Sequence, residues 1–93
     1  MTEQSEERET RLKRLRFRSW HRGTREMDLL LGRFADAHLA ELTLEELDLY
    51  EAVLRCADQD LYEWITTERP WPKALDNSVT RRLSEFTLKP AQR

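Results

Sequence analysis

Residues 26–38 read Glu26-Met27-Asp28-Leu29-Leu30-Leu31-Gly32-Arg33-Phe34-Ala35-Asp36-Ala37-His38. Met27, Leu30, Leu31, Phe34, Ala35 and His38 recur at the i, i+3, i+4, i+7, i+8, i+11 spacing of one buried helix face. Gly32 interrupts this helix at a cost of about 1 kcal/mol relative to alanine. A residue without a side chain at that place predicts the close approach of another helix. His38, at the end of the apolar face, is expected to be a satisfied boundary histidine.

Downstream, Leu39 to Leu42 leads into Thr43 with Glu46 three residues on, the pattern of a capping box. The spacing predicts a helix from there to about Ala57, burying Leu47, Tyr50, Val53, Leu54 and Ala57. Asp58 is expected to cap a short helix with Leu61, Trp64 and Ile65 on one face. Glu68-Arg69-Pro70-Trp71-Pro72 cannot be regular helix, because each proline also drives its preceding residue out of the helical region. Asp76 or Asn77 then caps a last helix carrying Val79, Leu83 and Phe86. Upstream, a first helix is expected over about Glu6 to Arg18, with Leu12 and Leu15 as a thin apolar stripe. Ser19 to Thr24, containing Gly23, reads as the break before the next helix. The expected fold is therefore all-α, a small five-helix bundle with mostly antiparallel neighbours. One domain spans 6–88, with a disordered start over 1–5 and a frayed tail over 89–93.

Composition agrees with this reading and narrows the function. The chain has 93 residues, two glycines and three prolines, and 37% of it is charged. That is room for one core and for long regular elements rather than loops. The single cysteine, Cys56, excludes an internal disulfide framework and points to a reducing compartment. No apolar run approaches the roughly 18 residues of a membrane span. Thr2 to Glu9 carries four glutamates, unlike a targeting segment. A cytoplasmic protein is expected. The net charge of −2 hides a polarised chain. Arg11 to Arg25 holds seven Arg or Lys residues and no acid, whereas Glu26 to Glu68 holds twelve acids against Arg33 and Arg55.

Little in the sequence supports catalysis. His21 and His38 stand on different elements without the further ligands that a metal site needs. There is no nucleophile elbow and no glycine-rich phosphate loop. Carboxylate pairs such as Glu45/Glu46 and Asp58/Asp60 read as solvated faces and helix caps. No catalytic, cofactor-binding or metal-binding residue is assigned. The basic stretch 11–25, with Phe17 and Trp20 interleaved, suits an alternative function as a nucleic-acid-binding adaptor. An acidic chain without a helix-turn-helix or RNA-binding signature makes this the weaker choice.

The segment Arg22-Gly23-Thr24-Arg25-Glu26 joins the basic stretch to the strongest helix. Gly23 is expected either to adopt positive φ or to leave its backbone bare for another surface. Arg22 and Glu26 could pair across one turn there.

Arg22-Gly23-x-x-Glu26, followed by Met27-Asp28-Leu29-Leu30-Leu31 and Phe34, resembles the hallmark of the succinate dehydrogenase assembly factor 2 family, called SdhE in bacteria. The likeness continues through Leu42-Thr43-x-Glu45-Glu46 and Tyr50-Glu51-x-Val53-Leu54. Asp58-Gln59-Asp60-Leu61-Tyr62-Glu63-Trp64-Ile65 resembles the family's D-x-D-L-x-x-W element. Together these cover about Arg14 to Pro72. Thr24 departs from the pattern, standing where relatives often carry an apolar residue. The resemblance implies a five-helix protein that binds the flavoprotein subunit of succinate dehydrogenase, and in some bacteria that of fumarate reductase. It implies that the chain promotes covalent attachment of FAD to a histidine of that subunit, the FAD belonging to the partner rather than to this chain. The partner-binding residues are then Arg22, Gly23 and Glu26, joined by the neighbouring Arg25 and Asp28.

Overall fold

A computed structural model of the chain describes residues 3–88, with side chains from residue 7 onward. Among the described residues there are five α-helices, two short 3-10 turns and no strand, the all-α class expected from the sequence. The expected frayed tail over 89–93 and the first two residues of the expected disordered start lie outside the described residues. The chain divides after Glu41 into two compact units.

The first unit comprises α1 (Glu3–Trp20), α2 (Arg25–His38) and a 3-10 turn over Leu39–Glu41. α1 begins three residues before the expected Glu6 and runs two residues past the expected Arg18. Ser19 is the reason for the later end. It continues the buried stripe of Leu12 and Leu15 at helical spacing, and its hydroxyl donates to the Leu15 carbonyl at 2.7 Å. A serine that reads as a helix breaker is here a buried, satisfied member of the helix. Arg8 Nη2 donates to the Ala40 carbonyl at 3.1 Å, so the start of α1 lies beside the end of α2 in an antiparallel hairpin.

α2 buries Met27, Leu31, Gly32, Phe34 and Ala35. Leu30, expected in the core, is only half-buried. The stripe is rotated toward Gly32 because the Trp20 ring of α1 packs there, on the side of the helix away from Leu30. His38 sits at the boundary as expected, half-buried, with Nδ1 at 3.2 Å from Glu41 Oε1 and its ring tilted against Phe34.

The second unit comprises α3 (Leu44–Leu54), α4 (Asp58–Ile65), a 3-10 turn (Lys73–Leu75) and α5 (Ser78–Leu88). The capping box is formed: Thr43 Oγ1 accepts from Glu46 N–H at 3.1 Å and Glu46 Oε1 accepts from Thr43 N–H at 3.0 Å. The Thr43 amide holds the Glu46 carboxyl below the usual carboxylate range. α3 buries Leu47, Tyr50, Val53 and Leu54 but stops at Leu54. Ala57, expected inside it, is exposed and extended (φ −70°, ψ 144°) and occupies the N-cap of α4. Asp58 is accordingly not the cap. It is the first helical residue, and with Asp60 it places negative charge at the positive end of the helix.

Leu61 and Ile65 are buried, whereas Trp64 is half-buried. Its ring lies tilted against Trp71 at 5.7 Å and beneath the Arg69 guanidinium at 5.6 Å. Arg69 also pairs with Asp60 at 3.0 Å and with Glu63. Trp71 Nε1 donates to Ser84 Oγ at 2.9 Å, which ties the proline-flanked segment to α5. Between the two candidate caps of α5, Asn77 takes the role: its Oδ1 accepts from Val79 N–H at 3.0 Å and Thr80 N–H at 3.1 Å.

Just past α4 and its C-cap Thr66, Thr67 sits at φ 64°, a left-handed conformation that β-branched residues avoid. The turn needs that conformation so that Arg69 N–H reaches the Glu63 carbonyl at 3.1 Å. Thr67→Gly is therefore expected to stabilise the protein by about 1 kcal/mol, since the left-handed cost of roughly 1–2 kcal/mol outweighs the added freedom of the unfolded chain. A urea midpoint measures it; an unchanged or lowered midpoint would mean that the Thr67 hydroxyl contact to the Thr66 carbonyl outweighs the strain.

Candidate functional site

The five residues singled out by the sequence fall on one turn and the first helical turn after it. α1 ends at Trp20, and Arg22-Gly23-Thr24 reverses the chain into α2. Gly23 sits at φ +114°, which only glycine adopts readily, and a Cβ built there would meet nothing within 4 Å. The bare backbone therefore faces open space.

Three hydrogen bonds hold the turn. Thr24, extended at φ −129° and ψ 149°, is the N-cap of α2, and its Oγ1 accepts from Met27 N–H at 3.2 Å. Its carbonyl accepts from Asp28 N–H at 2.9 Å. Asp28 Oδ1 in turn reaches back across the turn to accept from Arg22 N–H at 2.6 Å. Asp28, read from the sequence as a partner contact, thus has one carboxylate oxygen committed to bracing the loop. Arg25 and Glu26 are exposed, Arg22 and Asp28 half-buried.

An open groove of about 570 Å³ lies against this turn, lined by Gly23, Arg25 and Asp28 together with Trp20, His21, Thr24 and Leu29. Arg22 and Glu26 stand outside its lining. Trp20 forms a wall: its indole packs flat on Gly32, and its Nε1–H points to Asp36 Oδ1 at 3.3 Å. Gly32 thus has the close neighbour that its place in a helix predicted. The contact also takes Trp20 out of the role of a base-stacking aromatic, leaving Phe17 alone presented outward in the basic stretch. No helix among the described residues is long and apolar enough to cross a membrane.

Sequence reasoning missed Trp20, His21, Thr24 and Leu29. Thr24 carried a signal, a threonine just before the first periodic residue of α2. Trp20 had none within its own segment, because what holds it is a glycine twelve positions away.

Comparison with known proteins gives the family. Residues 13–87, from within α1 to the last turn of α5, match the family described as "Flavinator of succinate dehydrogenase". The chain is 39% identical over 75 residues to FAD assembly factor SdhE of Acetobacter pasteurianus, covering 81% of this chain and 69% of that protein. It is 42% identical over 78 residues to a mitochondrial succinate dehydrogenase assembly factor 2 of Candida glabrata, covering 80% of this chain and 51% of the relative. The corresponding protein of Lodderomyces elongisporus is 44% identical over 73 residues, covering 75% of this chain and 44% of the relative. The chain thus spans only about half the length of these mitochondrial relatives. A match that takes in most of the described helices and the whole Gly23 turn means that the chain belongs to the family of the flavinator of succinate dehydrogenase.

Proposed function

We propose that this protein is a non-catalytic assembly factor that docks on the flavoprotein subunit of succinate dehydrogenase and promotes covalent attachment of FAD there. The observation that carries this reading is the braced turn at Gly23, where bare backbone and exposed Arg25 and Glu26 adjoin an open groove. Such a turn lets another protein approach main chain directly, while the flanking charges supply charge-assisted hydrogen bonds. FAD is held by the partner and supplies the reactive ring; this chain holds the acceptor's domains in the arrangement that brings the two reacting groups together. The flavoprotein subunit of fumarate reductase is a second client of the same kind. The lone cysteine and the likeness to a bacterial factor support a cytoplasmic setting.

The test is covalent flavin on the denatured flavoprotein subunit, read by in-gel fluorescence after expression with and without this chain. The wild type is expected to raise the signal and to co-purify with the subunit. Glu26→Ala, at an exposed position, should leave the fold intact and weaken binding about tenfold, the loss of one charge-assisted hydrogen bond. Equal covalent flavin with and without the wild-type chain would overturn the proposal.

A further inference from the structure

Phe17 is 62% exposed, one of three large apolar side chains among the described residues left open to solvent, together with Leu44 and Leu88. A single exposed apolar residue needs no explanation in itself. Phe17 differs from the two leucines in being held. Its ring stacks on His21 with centroids 4.0 Å apart and planes 21° from parallel. His21 Nδ1 lies 2.7 Å from the Phe17 carbonyl. A carbonyl oxygen only accepts, so Nδ1 carries the proton and the imidazole is clamped one turn below the phenyl ring. An exposed aromatic already stacked on a neighbouring ring has less freedom to lose on being covered, which favours it as an interface anchor.

Its surroundings indicate what covers it. Lys13 and Arg14 lie one helical turn before Phe17 and are exposed with it, on the side of α1 away from buried Leu12, Leu15 and Ser19. The stretch 11–25 contains no acid. The surface is also continuous with the Gly23 groove, because His21 belongs to both the stack and the groove wall. We infer that the Phe17–His21 stack, edged by Lys13 and Arg14, is a second anchor for the same flavoprotein subunit. It seats the Phe17 ring in an apolar recess rimmed by the partner's acidic side chains. This rests on the function proposed above. A nucleic acid suits the site less well: one aromatic platform offers no track for successive bases, and the Asp28 carboxylate on the continuous groove repels a phosphate backbone.

The experiment is surface-based binding of the purified flavoprotein subunit to wild type, Phe17→Ala, Lys13→Glu/Arg14→Glu and Glu26→Ala, with circular dichroism confirming helicity. Phe17→Ala is expected to weaken binding at least about 20-fold, as for an aromatic anchor. Phe17→Tyr should retain most of the affinity. The double charge reversal should slow association and flatten its salt dependence. Normal binding by Phe17→Ala alongside weakened binding by Glu26→Ala would overturn the second anchor and leave the proposed function standing. No binding by the wild type would overturn both. Tight binding of a single-stranded oligonucleotide that Phe17→Ala abolishes, with flavoprotein binding unaffected, would reassign the stack to nucleic acid.

Discussion

Gly32→Ala is expected to destabilise the protein by about 2 kcal/mol, although alanine is the better helix former. Chain propensity alone predicts a gain of about 1 kcal/mol for removing a glycine from a helix interior. The opposing effect is larger. A Cβ at position 32 would land on the Trp20 indole, overlapping Cδ2 and Cε2 and lying 2.6 Å from Cε3. These atoms belong to a rigid ring rather than to the mobile end of a side chain, and Nε1 is directed at Asp36. Relief therefore requires α1 and α2 to move apart or the indole to leave its site. Overpacking of this kind costs roughly 1–3 kcal/mol and occasionally more, and the upper part of that range applies to a ring pressed flat on backbone. A chain of this length has only about 5–14 kcal/mol of stability in total. The urea midpoint should fall at unchanged m-value. In a Trp20→Ala background the same substitution should cease to cost anything and recover its propensity gain, a coupling that a double-mutant cycle isolates. Because Trp20 is a wall of the groove, Gly32→Ala should weaken flavoprotein binding as well. A Gly32→Ala protein as stable as the wild type would show that the ring yields freely, and the groove would then have no fixed wall.

The same contact marks how far local sequence signals reach. α2 was legible from its periodic apolar face alone, and α3 from such a face together with a boundary pair whose chemistry acts within three positions, Thr43 with Glu46. The Gly23 turn was legible for a similar reason: a glycine between two helical patterns leaves few conformations open, and positive φ is among them. Errors arose where a residue type suits two neighbouring places. Asp58 serves equally as a cap or as the first residue of a helix, and only the extended backbone of Ala57 decides between them. Ser19 breaks a helix when its hydroxyl competes for the backbone, yet extends one when it bonds back to Leu15 on a buried stripe. The walls of the groove lay beyond this kind of reading. Trp20 is fixed by Gly32 and Asp36, and nothing in the residues around it names those partners.

Gly23→Arg is expected to reduce capture of the flavoprotein subunit by more than about 100-fold, the scale of losing an interface centre, while leaving the helices formed. Two effects enter, and they separate cleanly. The backbone at φ +114° disfavours any side chain, a cost of about 1–3 kcal/mol in folding that alanine and arginine share. The first side-chain atom meets nothing beyond the adjacent residues, since the space within 4 Å of a Cβ there is otherwise empty. Arginine is therefore expected to leave the turn in the same open direction as alanine at a similar cost to the fold, while its length fills the space through which a partner would approach the bare turn. Gly23→Ala should accordingly share the lowered urea midpoint of Gly23→Arg and keep much more of the binding. The α2 N-terminus should persist in both variants, because the Thr24 cap and the Asp28 brace do not depend on the side chain at 23. If alanine and arginine weaken binding equally, strain relayed through the turn is responsible, and the backbone of Gly23 is not itself covered. If a folded Gly23→Arg protein binds as tightly as the wild type, the turn lies outside the interface, and docking must run through the α1 surface around Phe17 alone.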